Sequence, residues 1–213
     1  MWTSTLAADL PAELLVRPNP QSKLSPARRV RRALAELLCP ELRREAAEDP
    51  LTGALNRRAD QAVTGRALTE RCAGTRLLRF QADLDNFKAL NDTFGHQAGD
   101  AALCLVRRSL EQATRDGDLL SLARPGGDEF ALTLRVAAHA DPEAIRDRIE
   151  QTVNEALAQA GLRNVGRKRV GISVGVVPVD GRTTLYALDA AADAAARARK
   201  QARGLSRPRS RAG

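Results

Sequence analysis

Two adjacent glycines interrupt an apolar stretch in "DLLSLARPGGDEFALTLRV", residues 118–136, and no other segment restricts the fold so tightly. Gly126 and Gly127 tolerate the positive φ of a tight reversal, and the runs on either side, "LLSLA" and "FALTL", read as strands. The segment predicts a β-hairpin. A bare turn accounts for the glycines but not for Asp128 and Glu129 directly after them, because neighbouring carboxylates repel. A site that holds a cation requires such acids.

The flanking segments alternate in period. "TRLLRFQADLD", residues 75–85, reads as a mostly buried strand ending in the acid pair Asp83 and Asp85. Before it, Asp49-Pro50 and Thr52-Gly53 mark a turn, and Asn56 caps a helix running to Gly74. After it, "NFKALNDTFGHQAGD" gives a short helix, a loop and the cap of a helix from Ala98 to about Arg115. A helix over about Pro142–Ala160, a β-branched strand "RKRVGISVGVVPV" and an Ala-rich helix from about Thr184 to Arg203 complete the chain. The order α, β, α, α, β, β, α, β, α predicts an α+β fold with a mostly antiparallel central sheet and flanking helices.

Residues 49–204 form the expected domain, 205–213 a basic tail, and 1–48 a partly helical extension. In that extension, Val30, Leu34, Leu37 and Leu38 recur at helical spacing until Pro40 interrupts them. The segment suits a surface helix, or a helix for coupling or dimer formation. A formal net charge of +8 favours anionic partners, but a single Trp and a single Tyr argue against a base-stacking nucleic-acid surface. Three cysteines without CxxC spacing argue against a disulfide framework or a zinc site. No apolar run approaches 18 residues, so the expectation is a reduced, cytoplasmic chain with no integral membrane segment.

In this architecture the first strand lies beside the hairpin, so Asp83 can meet Asp128 although 45 positions (128 − 83) separate them. Two carboxylates and the Leu84 carbonyl make a set of hard oxygen donors, which suits a Mg²⁺ ion that keeps waters and shares phosphates. Asn86-Phe87-Lys88 opens a helix whose N–H groups can take phosphate oxygens, with Lys88 as a neutralising charge. Asn91 and Asp100 together could read a guanine edge, although Asp100 could equally cap a helix.

Here the motifs converge on a family. "DPLTGALNRR", "DLDNFKALNDTFGHQAGDAAL", "RPGGDEF", "ISVGV" and "ADAAARARK" occur in the order and spacing of GGDEF domains, and residues 49–204 resemble the diguanylate cyclases. The resemblance implies a five-stranded palm like that of nucleotide cyclases and polymerases, and condensation of two GTP into cyclic di-GMP. It implies Mg²⁺ or Mn²⁺ on Asp83, the Leu84 carbonyl, Asp128 and Glu129, with Asp128 and Glu129 catalytic. Glu129 takes the position that activates the 3′-hydroxyl or holds metal. For GTP it implies the Asn86-Phe87-Lys88 backbone, Asn91 and Asp100 on guanine, and Lys200 on phosphate. One domain then holds one GTP, and chemistry requires a homodimer.

Three departures stand out. The family's x-x-Gly-Arg after Lys200 is "QARG" here, so Arg203 precedes Gly204 and either Arg203 or Arg207 would serve the triphosphate. The residue before the glycines is Pro125, in place of a tyrosine-like one. Arg115 and Asp118 fit the family's RxxD product-inhibition site, yet seven residues (119–125) follow Asp118 before Gly126, against five in the family. The alternative to a working cyclase is a weak or inactive receptor for GTP or cyclic di-GMP.

Overall fold

The computed structural model describes residues 46–70, 72–179 and 183–203. The helix expected up to Glu48 therefore lies outside the described residues except for its last three, and the tail from 205 lies outside them entirely. The elements are α1 (Arg57–Thr69), β1 (Thr75–Asp85), α2 (Phe87–Phe94), α3 (His96–Gln112), β2 (Leu119–Gly126) and β3 (Glu129–Ala137). They continue with α4 (Pro142–Gln159), β4 (Asn164–Val165), β5 (Lys168–Arg169), β6 (Gly171–Pro178) and α5 (Leu185–Ala202). Side-chain caps start three helices: Asn56 accepts from the Ala59 N–H, Asp141 from Glu143 and Thr184 from Ala187.

The main sheet is antiparallel, in the order β2-β3-β1-β6. It has four strands among the described residues, not the five expected. The strand read over 167–179 splits, because Gly166 turns the chain at φ 57° and the Val170 N–H bonds back to the Arg163 carbonyl at 2.8 Å. The β4–β5 pair thus forms a separate small hairpin. Two helix boundaries also differ. Glu70 adopts an extended conformation and ends α1 before Gly74, and Gly95, at φ 84°, lets α3 begin at His96 rather than Ala98. Gly95 takes the cap position, so Asp100 lies inside α3 and is not its cap.

Period-2 alternation sorts β1 onto two faces. Leu78, Phe80, Ala82 and Leu84 enter the apolar core with Leu103, Val106 and Leu110 of α3 and Ile149 and Val153 of α4. The intervening Arg79, Asp83 and Asp85 bond to residues of α1 and α5 or to β6. α5 crosses the sheet in close contact at Gly175, where a Cβ would sit 2.1 Å from the Ala192 carbonyl oxygen. That approach explains both the glycine of "ISVGV" and the alanines of α5, and it delivers Lys200 to the acidic end of β1.

Candidate active site

The antiparallel register sets Asp83 opposite Glu129, and the Leu84 N–H donates to the Asp128 carbonyl at 3.2 Å. Strand pairing alone therefore gathers Asp83, Leu84, Asp128 and Glu129 at one end of the sheet. Gly126 and Gly127, at φ 156° and 58°, make the turn that directs the acids there. Burial pushes the Asp128 carboxyl up, and the nearby Asp83 charge adds to the effect. Glu129 is raised by the same two causes, with Asp193 and Asp128 contributing. Asp85, only 1% exposed, is raised by burial even though it accepts from the Ser173 hydroxyl at 2.9 Å.

Lys200 answers this negative charge. Its ammonium bonds to Asp83 and lies 3.4 Å from Asp85. Burial works against the charged amine, but the two carboxylates outweigh it and hold its pKa above the ordinary value. Among the described residues no three His, Cys, Asp or Glu side chains converge closely enough to hold an ion by themselves. The donors present are nevertheless hard oxygens under mutual repulsion, with an ammonium already drawn to them. That chemistry fits a divalent cation coordinated by few carboxylates and completed by phosphate and water.

The helix pair α2–α3 carries the other expected residues. Asn86, at φ 59°, reverses the chain so that α2 opens directly after β1, and its side-chain amide donates to the Arg169 carbonyl at 2.9 Å. Phe87 packs on the core while Lys88 is exposed. Asn91 has a buried Oδ1 with no hydrogen-bond partner among the described residues. It lies against Gly99, where a Cβ would be 1.8 Å from that oxygen. Asp100, the residue after Gly99 in α3, is exposed. Gly99 was not singled out in the sequence, since a glycine inside a helix reads only as a propensity defect.

A second missed element is the clamp on the glycine turn. Arg124 donates from Nε and Nη2 to the Gly127 carbonyl at 2.9 and 2.7 Å, and from Nη1 to Asp49 at 3.0 and 3.1 Å. Thr52 donates to Asp49 through both its N–H and its hydroxyl. The "DPLT" turn, legible only as a turn, thus fixes the backbone of "GGDE". Burial raises the Asp49 carboxyl, but the bonds from Thr52 and Arg124 prevail and hold it below the usual range.

Asp49→Asn is expected to cost about 1–3 kcal/mol at pH 7. A depressed carboxylate stabilises above its unfolded pKa and loses that contribution as pH falls through the folded value. Urea melts of parent and variant should therefore differ at pH 7 and converge towards pH 3. A pH-independent difference would assign the loss to something other than the carboxylate charge.

Arg203 does not extend freely towards Lys200. It donates to the Ile172 carbonyl at 2.8 Å and is ion-paired with the buried Glu150. Arg115 and Asp118 share a cavity of about 390 Å³ with His139, Asp141 and Arg148. Arg148 was not foreseen, because α4 carries it and nothing in its local sequence links it to the RxxD segment. Pro125 lines a separate cavity next to Glu129.

Residues 46–205 match the family described as "Diguanylate cyclase, GGDEF domain". Diguanylate cyclase DgcP of Escherichia coli is 36% identical over 150 residues, covering 67% of this chain and 42% of that protein. Cyclic di-GMP phosphodiesterase NbdA of Pseudomonas aeruginosa is 35% identical over 141 residues, 66% of this chain and 18% of that protein. The chain thus spans less than half the length of these relatives. Among solved structures, the coiled coil and GGDEF domain of DgcB from Caulobacter crescentus, in complex with c-di-GMP, matches with a TM-score of 0.61. It is 26% identical, and the match covers 83% of this chain and 91% of that one. The chain therefore belongs to the GGDEF-domain diguanylate cyclase family.

Proposed function

We propose that this chain is an active diguanylate cyclase, joining two GTP into cyclic di-GMP with release of two pyrophosphates. The observation that carries this reading is the pairing of Asp83 with Glu129 and of Leu84 with Asp128, which concentrates carboxylates at the glycine turn. Mg²⁺ or Mn²⁺ held by Asp83, the Leu84 carbonyl, Asp128 and Glu129 would offset charge building on the α-phosphate and the leaving pyrophosphate.

The side chains divide the remaining work. The N-terminal N–H groups of α2, at Phe87 and Lys88, take phosphate oxygens, and Lys200 neutralises charge beside Asp83. The unpartnered Asn91 Oδ1 accepts from a guanine donor and Asp100 accepts beside it. Glu129, set opposite Asp83 by the strand register, takes the proton as the 3′-oxygen bonds to the α-phosphorus of the facing nucleotide and the bond to the β-phosphate oxygen breaks. Each ring closure needs two such sites facing one another, so the working species is a homodimer.

The test is incubation of the protein with GTP and Mg²⁺ over a range of protein concentrations, with chromatographic separation of products. Cyclic di-GMP forming faster than linearly with concentration supports a transient dimer, and a linear rise a stable one. Absence of product at every concentration sinks the cyclase reading. Gly99→Ala is expected to raise the KM for GTP severalfold, because the new methyl displaces the Asn91 amide and also presses on the Phe87 ring, 3.2 Å away. An unchanged KM would remove Asn91 from guanine recognition.

One observation favours the receptor alternative: Glu150 occupies Arg203, the residue nearest to the family's missing phosphate arginine. In that case the chain binds GTP or cyclic di-GMP without turnover. The cavity shared by Arg115, Asp118 and Arg148 suits the phosphates of cyclic di-GMP. Arg115→Ala should then abolish product inhibition, or product binding in a receptor, and leave initial rates intact.

A further inference from the structure

The small β4–β5 hairpin has no part in the main sheet and sends only Val165 into the core, yet it stands directly beside the helix pair that holds the expected nucleotide residues. Its Arg169 carbonyl accepts from the Asn86 side chain, which ties the hairpin to the start of α2. Between hairpin and sheet lies a cavity of about 380 Å³ lined by Asp85, Asn154, Arg163, Arg169, Gly171 and Arg203. Three guanidinium groups therefore face one space next to the phosphate-binding end of the site.

The charges in that space do not cancel. Asp85 is turned to Ser173 and Lys200, and Glu150 to Arg199 and Arg203. Arg163 donates from Nη1 to the Asn154 carbonyl at 3.2 Å, but its Nε is buried without a partner among the described residues. Arg169 is exposed and takes part in no ion pair among the described residues. Burial, with repulsion from Arg169 and Arg203, lowers the Arg163 pKa, which marks excess positive charge. Gly171 keeps the floor open, since a Cβ there would lie 2.6 Å from Asn154 Oδ1.

We propose that Arg163 and Arg169, on the β4–β5 hairpin, join Arg203 to seat the terminal phosphates of the nucleoside triphosphate. The seat supplies the positive charge that the chain lacks at Gly204, from an element distant in sequence from α5. It rests on the reading that a nucleoside triphosphate occupies the α2 N-terminus. Planar guanidinium groups match phosphate oxygens in pairs, and the unsatisfied Arg163 Nε gains the acceptor it lacks. Binding of the phosphate tail also fixes the hairpin against α2 through Asn86.

The test titrates the full chain with inorganic tripolyphosphate, and separately with GTP and GMP, by calorimetry. For the Arg163→Gln/Arg169→Gln double variant, tripolyphosphate and GTP should each bind more weakly by about tenfold per guanidinium removed. GMP affinity should stay within about twofold, since GMP lacks the terminal phosphates. Arg169→Lys should recover part of the loss. Should the double variant melt lower than the parent, Arg169→Gln alone decides, because that side chain is exposed.

Tripolyphosphate affinity unchanged by these substitutions overturns the proposal, as does a parent that fails to bind tripolyphosphate at millimolar concentration. Product formation keeps this result separate from the cyclase reading. A parent that makes cyclic di-GMP, with variants of unchanged KM for GTP, overturns the arginine seat alone. A parent that binds tripolyphosphate through these arginines but makes no product upholds the seat and refutes the cyclase.

Discussion

Replacing Asp128 by Asn is expected to cut cyclic di-GMP formation by about a thousandfold while leaving the domain as stable as before, or slightly more so. The two effects have opposite signs because they have one cause. Asp128 is held near Asp83 and Glu129 in a half-buried turn, and its carboxyl is raised by burial and by the Asp83 charge. The ionised form is thus destabilising in the folded state unless a cation answers it. A neutral amide relieves that repulsion but loses the charge that would hold metal and phosphate. For a carboxylate raised above its unfolded value, the folded state keeps its proton more tightly, so stability declines as pH rises through that window. Any melting advantage of the variant should therefore appear at pH 8 and vanish as pH falls below the unfolded carboxylate range. Persistent synthesis would show that Asp128 is dispensable. Loss of synthesis together with a collapse in melting temperature would make Asp128 a structural residue.

How far this could be read from the sequence differs between elements for physical reasons. The hairpin and the acids were legible because Gly126-Gly127 demands a backbone that few other residues adopt, and because β1 alternates with period 2 up to Asp83. Once β1 and the hairpin are taken as neighbours, the meeting of Asp83 with Glu129 follows from pairing. The β4–β5 hairpin was hidden, because Lys168, Arg169 and Val170 lead straight into the β-branched strand β6 with no Pro, Asn or Asp to mark a turn between them. Only the left-handed Gly166 marks it, and a lone glycine has many meanings. The Arg124–Asp49 clamp and the Arg115–Arg148 cavity were hidden for a different reason. Long arginine side chains bridge elements 75 or 33 positions apart (124 − 49 and 148 − 115), and no local periodicity encodes such a reach. Asp85 was visible as half of an acid pair, but its burial under Ser173 and Lys200 depends on how α5 crosses at Gly175.

Asp60→Ala is the substitution expected to cost the most stability, about 3–5 kcal/mol, although it touches no residue proposed to meet substrate. Arg79, in the middle of β1, is 1% exposed and donates to both carboxylate oxygens of Asp60 at 3.0 and 2.6 Å. It also donates to Thr133 at 2.9 Å and to Asp189 at 2.8 Å, and Ser121 donates to Asp60 at 2.6 Å. Three strands and two helices thus share one ion pair in the layer behind the apolar core. Asp189 is 32% exposed and accepts only from Nε of the guanidinium, so it does not replace Asp60. Without Asp60 a buried positive charge and the Ser121 and Thr64 hydroxyls lose their acceptor together. Removing the charge on both sides is a different perturbation. Asp60→Leu combined with Arg79→Met should cost less than Asp60→Ala alone, which a double-mutant cycle read by urea melts would reveal as a large coupling energy. Activity gives the second readout. Asp83 lies four residues further along β1 on the same face, but the β3 and β6 ladders set its position, not Arg79. The double variant should therefore keep the parent's KM for GTP once folded. A cost under about 1 kcal/mol for Asp60→Ala would instead mean that water reaches Arg79 and that the pair is not part of the domain's rigid frame.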